Sequence, residues 1–217
     1  MQFKELRKIA EKFYSKGLPY HNFDHAITTI KNAKKIVENC KKDELYPDEE
    51  IICISLLFHD AGYHQDHKEK GHYSKEDYSA VIAEEILRKE GFEETKIQKI
   101  KRAIITTHRY ARWRTLEEGI IRAADLAGMA ADYQTFLKNT ILLKEEYELL
   151  NNRKLTLNKY KQIVKKIIGF YLKEDIHLSR KYFDDDGKSH FHTKTIENLS
   201  RFLKESTSNH ASNHNNL

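Results

Sequence analysis

Proline is nearly missing from this chain, with two residues in 217, and glycine numbers only eight. Proline breaks a helix interior by removing a donor, and glycine weakens one through backbone entropy. With so few of either, long stretches run uninterrupted, which favours helices. Cysteine is as scarce. Cys40 and Cys53 form no CxxC pair, which argues against a thiolate zinc site or a disulfide framework and fits a reducing, cytoplasmic setting. Long apolar runs are missing too, as is a charged-then-apolar signal at the N-terminus, so the expectation is a soluble protein without a membrane partner.

A dominant charge is also lacking. Thirty-eight Lys and Arg interleave with thirty-three Asp and Glu, for a formal net charge of +5. An excess that mild draws an anionic substrate towards a cleft. Nucleic-acid binding calls instead for a clustered basic face with aromatics, so nucleic acid is not the expected partner. Oligomeric state is not legible.

What is present is helical periodicity. Phe3, Leu6, Ala10, Phe13 and Tyr14 recur at helical spacing over residues 2 to 16. Gly17-Leu18-Pro19 stops that segment, and Asn22 or Asp24 is placed to cap the next, which runs to about Cys40. Pro47-Asp48 opens a third helix. A polar loop over 61 to 74 carries His64, His67 and His72, and helices follow over 75 to 89, 93 to 108 and 116 to 131. Further helices fit 132 to 150 and 155 to 173, and after the turn Asp184-Asp185-Asp186-Gly187 a last one reaches about Glu205. The expectation is an all-α fold: one domain over 1 to 205 with its C-terminal helices packed on it, and a disordered tail over 206 to 217.

One stretch resists that bland reading. Ile51 to Phe58 holds a single hydroxyl and runs straight into His59-Asp60. Ile52, Leu56 and His59 share a face, so the imidazole points where the core points. Burying such groups costs several kcal/mol unless a partner or an ion compensates. His25, His59, Asp60 and Asp125 all sit at or near apolar helical faces. Each alone reads as packing, Asp125 for instance as an acid bonded to a neighbouring Tyr or Arg. Together they suit one divalent ion such as Mn, Fe, Zn or Mg, because a single charge compensates all four.

In that order the four residues match the H…HD…D pattern of the HD-domain superfamily of metal-dependent phosphohydrolases, which the chain resembles from about Tyr20 to Ala130. Tyr20-His21-Asn22-Phe23-Asp24-His25-Ala26 is similar to the YHNxxHA opening of class I cyclic-nucleotide phosphodiesterases. With Phe58-His59-Asp60-Ala61-Gly62-Tyr63, Glu76-Asp77-Tyr78-Ser79-Ala80 and Ala123-Ala124-Asp125-Leu126-Ala127, it looks more like small predicted bacterial HD phosphohydrolases. That group has Asn where this chain has Lys75. The chain is also shorter than a phosphodiesterase catalytic domain and lacks that class's purine-clamping glutamine region.

The resemblance implies one or two divalent ions on His25, His59, Asp60 and Asp125, with His21 as general acid and Asp60 also orienting the nucleophile. His64, Glu76 and His108 stand as second-shell or second-metal positions, and solvent exposure or packing is the plain alternative for the histidines. Lys68, Arg109 and Arg112, with Lys70 and Arg114, are phosphate-binding positions by charge, or solvated surface. The implied substrate is a small nucleotide-like phosphate ester, mono- or diester. A di-iron oxygenase on the same scaffold and a catalytically silent nucleotide sensor are the alternatives.

Overall fold

The computed structural model describes residues 3–174, 176, 178, 179 and 187–205. The turn at 184–186 and the tail over 206–217 lie outside them. Among the described residues the regular elements are all helical. They are α1 (Phe3–Glu11), α2 (Phe23–Lys42), α3 (Glu49–Phe58), α4 (Lys75–Lys89), α5 (Glu94–Ile105) and α6 (Leu116–Leu126). A single 3-10 turn (Ala127–Ala130) leads to α7 (Tyr133–Leu150), α8 (Leu157–Tyr171) and α9 (His190–Lys204). The protein is all-α.

The starts of these helices obey local chemistry. Asn22, Asp48, Ser74, Thr115, Asp132, Thr156 and Ser189 each cap one with a side-chain oxygen that accepts from a first-turn N–H. Each such cap contributes roughly 0.5–2 kcal/mol relative to alanine. Three ends fall short of the expectation: the helix expected over 116 to 131 ends at Leu126 and tightens into the 3-10 turn, and two others stop early as well. The stripe predicts a first helix to residue 16, but α1 ends at Glu11, where Lys12, Phe13 and Tyr14 bond three residues back instead of four. The stripe likewise carries α5 to residue 108, yet it ends at Ile105. Thr106 and Thr107 fold their hydroxyls onto the Ala103 and Ile104 carbonyls there, and α6 captures the next carbonyls along the chain.

Two compact units account for the described chain. The first holds residues 3–127, 178 and 179, with α3 at its centre: it touches α1, α2, α4, α5 and α6. Ile51, Ile52, Ile54, Leu56, Leu57 and Phe58 are all buried, as a helix apolar all round must be. At ~1.5–3 kcal/mol per fully buried side chain, this short helix is the anchor of the unit. Gly62 comes after it at a close approach, where an added Cβ would lie 2.6 Å from Cδ1 of Tyr78. The Gly62 N–H donates to Ser79 Oγ at 3.0 Å, so the chain leaves α3 pressed against α4.

The second unit spans residues 128–174, 176 and 187–205. Its core is Tyr133, Phe136 and Leu137 of α7, Tyr160, Val164 and Ile168 of α8, and Phe202 of α9. The Asn198 amide donates to the Met129 and Ala131 carbonyls at 3.0 and 2.8 Å, tying α9 to the turn before α7.

Candidate metal centre

His25 enters the first unit's interior because Asn22 fixes where α2 begins. The Asn22 side-chain oxygen accepts from the His25 N–H at 3.2 Å, and its amide donates to the Leu18 and Pro19 carbonyls. Asp125 is the penultimate residue of α6. The Asn32 amide donates to the Ala124 carbonyl at 3.3 Å, which holds α2 against α6 beside that carboxylate. His59 and Asp60 come directly after the last residue of α3 and are buried, at 1% and 8% exposure.

Four donor atoms converge from these three elements. His25 Nε2 lies 3.1 Å from Asp125 Oδ1 and 3.7 Å from Asp60 Oδ2. His59 Nε2 lies 3.0 Å from Asp60 Oδ2 and 3.4 Å from Asp125 Oδ1. Donors sharing an ion at about 2.0–2.2 Å are held at about this spacing from one another. His59 Nδ1 meets the Leu56 carbonyl at 2.8 Å. A carbonyl only accepts, so Nδ1 carries a proton, and Nε2 is the ring atom that faces the carboxylates and is open to an ion.

The fit to a cation rests on two atoms. His59 Nε2 and Asp60 Oδ2 are fully buried, 3.0 Å apart, and neither has a hydrogen-bond partner. Buried polar atoms left so cost ~1–3 kcal/mol each, and a shared ion removes that cost. Charge points the same way. Burial opposes protonation of His59, but the Asp60 and Asp125 carboxylates outweigh it and raise the imidazole well above its ordinary range. Burial likewise pushes Asp60 and Asp125 up, and the surrounding imidazoles hold both below the usual carboxylate range. The centre is built around a positive charge.

His21 belongs to its surroundings. Its ring stacks on Tyr63 (3.8 Å, 15°) and meets His25 edge-on at 5.6 Å, and its charge helps hold Asp60 low. The Lys75 ammonium lies 3.5 Å from the Tyr63 ring centroid. Lys75 thus occupies the neighbourhood of His21.

The remaining residues singled out by sequence lie outside the four-donor cluster. His25, His59 and Asp60 form the one group of three or more such side chains with ligand atoms within 4.8 Å among the described residues, and Asp125 adjoins it. His64 and Lys68 are exposed in the 61–74 loop, and Glu76 is half-buried in the first turn of α4. His108 is off the helical stripe, its Nδ1 accepting from the Tyr110 N–H at 3.4 Å. Arg109 and Arg112 are exposed in the same segment. Arg122, which composition did not single out, holds that segment: its buried guanidinium donates to the Thr106, His108 and Arg109 carbonyls at 2.7, 2.9 and 2.8 Å. Tyr63 and Tyr14 were also missed. Their partners are far away in sequence, and a tyrosine on an apolar stripe signals only packing.

Two imidazoles and two carboxylates converging among helices define an all-α protein with a candidate metal centre. The family model of the HD domain matches residues 22–128, about half of the chain and the whole span from the Asn22 cap past Asp125. The chain belongs to the HD-domain superfamily, whose members are mostly metal-dependent phosphohydrolases. No curated protein matches the chain. No described helix is long and apolar enough to cross a membrane.

Proposed function

We propose that this protein is a metal-dependent phosphohydrolase acting on a small nucleotide-like phosphate ester. The observation that carries the reading is the buried, partnerless pair His59 Nε2 and Asp60 Oδ2, with His25 and Asp125 closing on the same point. Two carboxylates and two neutral imidazoles suit Mn, Mg, Zn or Fe. What such an ion supplies when held there is Lewis acidity, which makes water nucleophilic near neutral pH and polarises a phosphoryl oxygen.

The chain's own residues do the rest. His59, its Nδ1 fixed on the Leu56 carbonyl, would offer Nε2 to the ion. Asp60 would help hold the ion, and its carboxylate would orient the attacking water. His21, which precedes the extended Asn22 cap of α2 and meets His25 edge-on at 5.6 Å, delivers a proton to the leaving oxygen, a contribution of typically ~10²–10⁴-fold. The stack on Tyr63 limits the orientations of its ring. Lys75, over the Tyr63 face opposite the one His21 stacks on, adds a positive charge to these surroundings, which favours an anionic substrate. Arg109 and Arg112, exposed on the segment that Arg122 braces, are assigned to the phosphate by their charge.

The test is a screen of nucleotides, nucleoside monophosphates and simple phosphate esters with Mn, Mg, Zn or Fe(II), tracking released phosphate or nucleoside. Metal-dependent turnover that Asp60→Ala abolishes supports the reading. Full turnover by that variant sinks it. Nucleotide binding with no turnover under any metal assigns a sensor instead.

A further inference from the structure

One buried hydroxyl in the first unit sits directly behind the candidate metal ligands. Tyr14 is buried, at 8% exposure, just beyond the end of α1. Its hydroxyl donates to the Leu57 carbonyl at 2.9 Å. The phenol therefore ties down the turn from which both His59 and Asp60 project.

That turn needs such a partner. A continuing α-helix would satisfy the Leu57 carbonyl with the Ala61 N–H, four residues on. Here the Ala61 N–H bonds to Phe58 instead, at 3.0 Å, because the backbone tightens after α3 to present two consecutive side chains to one point. Tyr14 takes the vacated acceptor. Phe23 packs edge-on against its ring at 5.5 Å, limiting its movement. Burial and the nearby Asp60 and Asp125 charges raise the phenol well above its usual range, so it keeps the proton it donates.

We infer that Tyr14 is a positioning residue of the metal centre: its hydroxyl holds the Leu57–Asp60 turn in the arrangement that brings His59 and Asp60 to one ion. It touches neither ion nor substrate. Outer partners of metal ligands typically contribute ~10–100-fold in metal affinity. The inference rests on the metal reading and not on any substrate.

The experiment measures Mn2+ binding to metal-free full-length protein by calorimetry, comparing wild type, Tyr14→Phe and Tyr160→Phe. The Tyr160 hydroxyl makes an equally buried bond, to the Thr140 carbonyl at 2.9 Å, within the second unit, so its loss controls for a purely structural effect. Tyr14→Phe is expected to weaken Mn2+ binding ~10–100-fold while Tyr160→Phe leaves it unchanged. Equal affinities for wild type and Tyr14→Phe, or equal losses in both variants, overturn the inference. A wild type that binds no Mn2+ overturns the metal reading and this inference with it. Should Tyr14→Phe not fold, exchange of the Tyr14 hydroxyl proton in wild type, read by NMR, decides. Metal binding and the hydroxyl bond to Leu57 are linked reciprocally, so saturating Zn2+ must slow exchange of that proton, and an unchanged rate overturns the inference.

Discussion

His21 and Tyr63 lie face to face, their ring centroids 3.8 Å apart and their planes 15° from parallel. The stack joins the opening of α2 to the chain just past the α3 metal ligands. It turns His21 from a turn residue into a side chain of restricted orientation beside Asp60. Tyr63→Leu should lower kcat with unchanged metal content, and Tyr63→Phe, which keeps the face, should restore it. His21→Ala should lower kcat by ~10²–10⁴-fold. Loss of metal from the His21 variant, measured by elemental analysis, would make it a ligand instead of an acid.

Removing a carboxylate from the centre should remove the ion. Asp125→Asn and Asp60→Ala should each lose most bound metal after purification, and with it turnover. The variants should still fold, because neither side chain packs the α3 core. Elemental analysis alongside circular dichroism separates loss of metal from loss of structure.

Protons compete with metal at His59. The two carboxylates raise this imidazole well above its ordinary value, so the metal-free site holds a proton that binding must release. Apparent metal affinity should therefore fall as pH falls through that raised value, and proton release should accompany binding at pH below it. Calorimetry in buffers of different ionisation enthalpy reads the released proton directly. Binding with no proton release at pH 7 would contradict this.

Leu56 is fully buried in α3, three residues before His59. Truncating it to alanine should cost about 2–5 kcal/mol by chemical denaturation. A cost under about 1 kcal/mol would show that α3 is not the anchor of the first unit.

The second unit carries its own acid sensitivity. Glu148 accepts from Lys144 Nζ and the Leu155 N–H, and also meets Lys154, and these hold its carboxyl at about 2 against an ordinary 4.5. A depressed carboxylate stabilises the folded state above its unfolded value and loses that contribution as pH drops towards the folded one. Glu148→Gln should therefore be less stable than wild type at pH 6, with the gap closing between about pH 4.5 and 2.

Much of this fold was written locally. Helix starts at Asn22, Asp48 and Ser74, the apolar run before His59-Asp60, and the order of His25, His59, Asp60 and Asp125 are all legible in sequence, because caps and periodicity depend on neighbours within one or two turns. The ends of α1 and α5 were not. Beyond those ends the chain is organised by Tyr14 and Arg122, through bonds to the carbonyls of Leu57 and of Thr106, His108 and Arg109. The centre itself is tertiary. His25 and Asp125 are 100 residues apart, yet their side chains lie 3.1 Å from each other. Sequence supplied four residues suited to a metal; only the packing of α2 and α6 around α3 brought their donor atoms together and left two of them buried without a partner.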